Sequence, residues 1–432
     1  MMWSKVLQAL ICVAAGVGGA FGQTEHVIYN FQGGTDGSAP SSTLVADVAG
    51  NFYGATPYGG GTNCNFAGST GCGVVFEVSP PAVASGAWTE TVLYHFQGGT
   101  DGISPAGVIL DRHGNLLGTT AAGGSGPNCI VDTTGCGTVF KLTRPSAPGG
   151  SWTESILYSF QSGDDGAIPT SLVEGADGKL YGVTTQAGSA GWGTVFQLKR
   201  PAAPGGAWTK TVLHNFTGIP SGGHFGDGAT PISLTFDAKA NLYGTTSWGG
   251  IYTGGEGGSA WGTVFELTPP GEPGGSWNYL VVCRFTAFLG NPVSGVVVDK
   301  AGAVYGTTYG AVYELIPGTA IALHVFNGGN DGISPYGGVT LDAAGNLYGT
   351  CLTGGQWSHG VAYRLTRPAQ TGQPWVETIL HAFTGSPDGD SPDAPLYLGR
   401  GRILYGTTLR GGNQSCQLYG ATGCGTVFRI TP

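Results

Sequence analysis

Residues 240–246 read ANLYGTT, and the phrase returns six more times: GNFYGAT (50–56), GNLLGTT (114–120), GKLYGVT (178–184), GAVYGTT (302–308), GNLYGTC (345–351) and RILYGTT (402–408). With its aromatic position as a ruler, the copies fall at Tyr53, Leu117, Tyr181, Tyr243, Tyr305, Tyr348 and Tyr405. The steps are 64, 64, 62, 62, 43 and 57 residues. A period of this size signals a propeller or a solenoid.

Around each copy stand three more strand-like runs. In the second repeat they are GVILD (107–111), NLLGTT (115–120), GTVFKL (137–142) and SILYSF (155–160). Each is rich in β-branched and aromatic residues and bounded by Gly, Pro, Asn or Asp, the marks of short strands. Seven repeats of four strands predict an all-β fold, a seven-bladed β-propeller with four antiparallel strands per blade. The short Asp-x-x-Gly-Asn hairpin joins the first two strands, so the LVxD-type run is innermost and the VLYHF-type run outermost. In that phase VIYNF (27–31) has no blade of its own, and the last repeat ends at GTVFRI (425–430) without an outer strand. The N-terminal strand is therefore expected to close the last blade and remove the free sheet edges.

Composition narrows the partners. Charged residues are 10% of 432, and the formal net charge is −9 with no basic run. That argues against nucleic acid and anionic membrane surfaces. Residues 1–22 read as a secretory signal, with Lys5, an apolar run and a small-x-small ending at Ala20-Phe21-Gly22. The expected mature chain is one propeller domain over 23–432, monomeric, secreted or periplasmic. Six cysteines form close pairs at matching repeat positions, Cys64/Cys72, Cys129/Cys136 and Cys416/Cys424. Such spacing in an exported chain predicts three local disulfides.

The signature GNLYGTT…GG…GTVFxL, repeated with GGxDGxxP, resembles the GloVer tandem-repeat family of bacterial exported proteins. GTVF itself stands at 137, 193, 262 and 425. The resemblance covers residues 27–430. It implies an exported, propeller-like protein and brings no established activity. Family members often carry a C-terminal sorting anchor, whereas this sequence stops two residues past its last strand, so free secretion or periplasmic residence is expected.

No GxSxG elbow, HExxH motif or Walker loop is present. Function is therefore sought where the repetition fails. Repeat 4 has long loops, and repeat 5 has almost none between its middle strands (YGTTYGAVYEL). The strand phase gathers these loops on one face, called the top. The notch between blades 4 and 6 would be edged by Trp248, Tyr252, Glu256, Trp261, His224 and Tyr309, with Trp357 and His359 across it and Trp192 beside it. Aromatic faces on a low-charge surface suit sugar rings. The expected function is non-catalytic binding of a glycan or other envelope ligand. The alternatives are a polysaccharide lyase or hydrolase using the notch, and a structural module of the cell envelope. No cofactor is expected, and Ca²⁺ is the candidate cation. Aspartates recur before Gly (Asp36, Asp101, Asp165, Asp227, Asp331, Asp388) and read first as turn formers, second as a carboxylate ring for such a cation. SPDGDSPD (386–393) is the best local metal stretch.

Overall fold

Seven four-stranded antiparallel sheets stand around a central channel in the computed structural model. It describes residues 24–431 apart from 62–63, 67–68, 84, 127–134, 148, 204, 219–225, 251–259, 273 and 419–420. Blade 2 shows the plan, with strands Ile103–Leu110, Leu116–Ala122, Thr138–Thr143 and Thr153–Ser159 running from the channel outward. Blade 7 takes its inner three strands from the C-terminal part of the chain and its outer strand from Thr24–Asn30, which pairs with Thr426–Thr431. The ends close as the strand phase predicts. No helix among the described residues is long and apolar enough to cross a membrane.

The repeated residues have local jobs. Asp111 starts a bottom turn by accepting from the His113 and Asn115 N–H groups at 2.8 and 2.9 Å. Burial works against ionising Asp111, but these bonds outweigh it and hold the carboxyl below its usual range. In blades 1, 3 and 6 the ruler tyrosine donates its hydroxyl to the same aspartate, as Tyr181 does to Asp177 at 3.0 Å. The threonine of LYGTT meets that of GTVF inside the sheet: Thr120 and Thr138 lie 2.8 Å apart, Thr246 and Thr263 2.9 Å. Both hydroxyls of each pair are buried and satisfied, so a polar pair costs the core little.

Neighbouring blades meet in layers. A phenylalanine just past an outer strand packs edge-on against the aromatic of the next blade's GTVF, as Phe160 does on Phe196 at 5.2 Å. Below, the tryptophan ahead of an outer strand packs on the ruler tyrosine of the preceding blade, as Trp277 does on Tyr181 at 5.6 Å. The repeated tryptophans Trp88, Trp152, Trp208, Trp277 and Trp375 all pack against core clusters.

Cys64–Cys72 and Cys416–Cys424 are disulfides. Cys136 is disulfide-bonded as well, while its expected partner Cys129 lies outside the described residues. Cys283 and Cys351 are buried free thiols.

Candidate ligand site at the channel mouth

The top of each seam carries a third layer that joins one blade to the next. The glycine opening GTVF packs against the inner-strand proline of the following blade. A Cβ on Gly73, Gly137 or Gly193 would sit 2.5–2.7 Å from Cδ of Pro105, Pro169 or Pro231. Gly262, Gly360 and Gly425 meet Pro292, Pro392 and Pro40 in the same way. At five of these seams the residue before the proline also donates its N–H across, as Thr230 does to the Trp192 carbonyl and Ser391 to that of His359, both at 3.0 Å. That residue lies in the left-handed region (Thr230 φ 54°, Ser391 φ 59°), a conformation that costs a non-glycine residue about 1–2 kcal/mol. The cross-seam bond and the packed proline offset the cost.

Between blades 5 and 6 this layer is missing. Gly310 has nothing within 4 Å of its would-be Cβ, because the loop that should carry the contact has shrunk to Tyr309-Gly310. The notch expected from the sequence lies between blades 4 and 6, whereas the seam whose top is not locked is the one between blades 5 and 6.

A contiguous path leads from that gap to the channel. The Asn291 side-chain amide donates to the Ser247 carbonyl at 2.6 Å, and the Asn291 carbonyl accepts from the Tyr309 N–H at 2.9 Å. The Tyr309 ring stands edge-on to Tyr336 at 5.9 Å, and Tyr336 lines the channel. The channel is a cavity of about 560 Å³. Its upper wall is one register column, the residue after each inner-strand proline: Ser41, Ala106, Thr170, Ile232, Val293, Tyr336 and Asp393. Asp393 is the one ionisable carboxyl of the column, and its Oδ1 is buried without a partner. Burial pushes that carboxyl up to about 7.

The other predicted residues divide. Trp248 and Trp357, like Tyr309, are more than half exposed. Trp192 is 48% exposed, with its indole against Gly218. His359 Nδ1 stands 3.3 Å from Asp390 Oδ1, in the segment that carries Asp393. Trp261 is half-buried and packs against the cluster of Val264, Cys283 and Phe285, its indole N–H without a partner. Tyr252, Glu256 and His224 lie outside the described residues. Phe288, 86% exposed on the loop entering blade 5, was not singled out from the sequence. Nor were Tyr336 and, as a channel residue, Asp393. Aligning the seven inner-strand prolines would have exposed the last two.

The Asp-Gly aspartates lie against the outer strands. Each accepts from a loop N–H and lies within 3.0 Å of a tyrosine hydroxyl or a histidine Nε2 of the preceding blade. Asp36, for example, takes Tyr29 Oη–H and Gln32 N–H, both at 2.8 Å. Glutamates of the next outer strand face several of them. Burial, then the nearby Asp36, lifts Glu90 to about 7. Glu154 is raised to about 7 by burial and Asp101.

Residues 126–310 match the model of the Gloeobacter/Verrucomicrobia repeat. No curated protein matches the chain. Solved structures similar to it include a gluconolactonase from Xanthomonas campestris (13% identity, 77% of this chain and 87% of that one, TM-score 0.42). Another is a PQQ-bound aldose sugar dehydrogenase from Streptomyces coelicolor (12%, 95% and 98%, TM-score 0.43). A third is PhoX from Pseudomonas fluorescens (12%, 95% and 95%, TM-score 0.46). At this distance the likeness says nothing about activity.

Proposed function

We propose that this member of the Gloeobacter/Verrucomicrobia repeat family is an exported binding protein that holds a carbohydrate on its top face, at the unlocked seam between blades 5 and 6. The carrying observation is the coincidence of the missing Gly–Pro contact with exposed aromatic rings. Trp248, Phe288 and Tyr309 stand on the blade 4 and 5 side, and Trp357 on blade 6. Sugar rings stack on such faces while their hydroxyls bond to polar neighbours. The Tyr309–Tyr336 pair leads on to the channel, where Ser41, Thr170 and the Asp393 carboxyl offer hydrogen bonds to a ligand end that enters it. Export is supported by the leader-like residues 1–22 and by the disulfides.

A glycan array on the full chain tests the reading. Wild type is expected to retain a defined set of glycans. Trp248→Ala/Tyr309→Ala is expected to lose them with its melting transition intact. No glycan retained by wild type would overturn it.

One observation favours a catalytic alternative. A carboxyl held near 7 can give up a proton at neutral pH. New reducing ends released from a bound polysaccharide by wild type, and lost in Asp393→Asn, would decide for an enzyme.

A further inference from the structure

At the rim of six of the seven seams three positions recur: the Asp-Gly aspartate, the tyrosine or histidine of the preceding outer strand, and the second residue of the following outer strand. Where blade 2 meets blade 3, the third position is Lys210. Its ammonium bonds Asp165 Oδ1 at 2.8 Å and the Asp165 main-chain carbonyl, and only 4% of the side chain is exposed. Where blade 3 meets blade 4, Tyr279 donates its hydroxyl to the Asp227 carbonyl at 2.6 Å. The chain itself thus places a cation or a proton donor at this spot.

At the two seams flanking blade 6 the third position is a glutamate, and the ring is a histidine. Where blade 6 meets blade 7, His381 Nε2 lies 2.9 Å from Asp388 Oδ2. Glu25 Oε1 and Asp388 Oδ1 are both buried without a hydrogen-bond partner. Where blade 5 meets blade 6, His324 Nε2 lies 2.8 Å from Asp331 Oδ1 and 3.9 Å from Glu377 Oε1, and Glu377 Oε1 is likewise buried and unpartnered. In each trio the ligand atoms lie within 4.8 Å of one another. Buried carboxylate oxygens that face each other without a positive charge are costly.

We infer that these two seams each bind one first-row divalent cation, of the Zn²⁺ or Mn²⁺ type, through His381–Asp388–Glu25 and His324–Asp331–Glu377. The ion takes the place that the Lys210 ammonium fills elsewhere. One imidazole nitrogen and two carboxylates suit these metals better than Ca²⁺, which prefers an all-oxygen shell. Ligand bonds of about 2.0–2.2 Å fit donor atoms some 3–4 Å apart. Where the ring is tyrosine, as at Tyr29–Asp36–Glu90, Asp36 Oδ1 and Glu90 Oε1 are also buried without a partner, but the phenol donates its proton to the aspartate and offers no nitrogen, so the metal trio is confined to the two seams that join a histidine to a glutamate. The blade 6–7 ion has a particular consequence. Glu25 belongs to the N-terminal strand, and His381 and Asp388 to the C-terminal part of the chain, so the ion clasps the ring shut.

The test uses the full mature chain, stripped with EDTA and titrated calorimetrically with Zn²⁺, Mn²⁺ or Ca²⁺ while melting is followed in parallel. Two Zn²⁺ per chain are expected, with a higher melting temperature and no comparable effect of Ca²⁺. Glu25→Gln and Glu377→Gln should each lower the count to one, and Glu90→Gln should leave it at two. Glu25→Lys, which copies Lys210, should also lower it to one and fold without the blade 6–7 ion. No Zn²⁺ or Mn²⁺ bound below about 100 µM, or a count unmoved by Glu25→Gln and Glu377→Gln, would overturn the inference.

Discussion

Gly193 lies against Pro231 across the seam between blades 3 and 4, so close that a Cβ on the glycine would stand 2.7 Å from the proline Cδ. The same contact recurs at five further seams and is absent only where blade 5 meets blade 6, among the described residues. It gives the repeated GTVF glycine a role that no single blade reveals.

Replacing that glycine should therefore hurt in proportion to the contact. Gly193 has φ +95°, and its Cβ would also sit 2.3 Å from the Thr184 carbonyl oxygen. Gly193→Ala is expected to cost about 3 kcal/mol from backbone strain and overpacking. Gly310→Ala, with open space around it, is expected to change stability by less than about 1 kcal/mol. Urea unfolding of the two variants compares them directly, and equal losses would refute the lock.

Closure of the ring should be equally exposed to mutation. Phe31 is fully buried and packs edge-on against Phe76 of blade 1 at 5.1 Å. Phe31→Ala is expected to cost about 3–5 kcal/mol. Removal of Thr24–Asn30 is expected to abolish the cooperative melting transition, because it bares the edge of Thr426–Thr431. A truncated chain that melts like wild type would show that the closing strand is dispensable.

Stability should fall as pH rises from about 4.5 to beyond 7. Glu90, facing Asp36 and Tyr29, and Glu154, facing Asp101, are both lifted to about 7 from an ordinary 4.5. A raised carboxyl binds its proton more tightly in the folded state, so its contribution is complete below pH 4.5 and fades as pH climbs through 7. Glu90→Gln/Glu154→Gln should flatten this part of the melting-temperature profile between pH 5 and 8. An unchanged slope would assign the pH dependence to other groups.

The small loop disulfides should matter on a smaller scale. Cys64 and Cys72 close a loop with a sequence separation of 8. Chain entropy puts the bridge at about 2–3 kcal/mol. Cys64→Ser/Cys72→Ser measured by urea unfolding checks this, and a loss near zero would show that the loop is already held by its neighbours.

Much of the architecture was legible before any coordinates. Blade count, strand phase and closure follow from ANLYGTT and its copies, because each blade is a local meander whose turns and alternation lie in consecutive residues. Asp111 and Asp342 could be read as turn formers for the same reason, since their partners sit two and four residues away. The shortened loop of repeat 5 was legible too, since its strands are joined by Tyr309-Gly310 alone.

What only the tertiary structure decided lies across the seams. Nothing near Gly193 in the chain names Pro231, nothing near Tyr309 names Tyr336, and Glu25 meets His381 and Asp388 from the opposite end of the sequence. A repeat records its own hydrogen-bonded neighbours. How one blade docks on the next, and hence which side chains meet at the rim or face the channel, is set by side-chain packing between segments far apart in the chain.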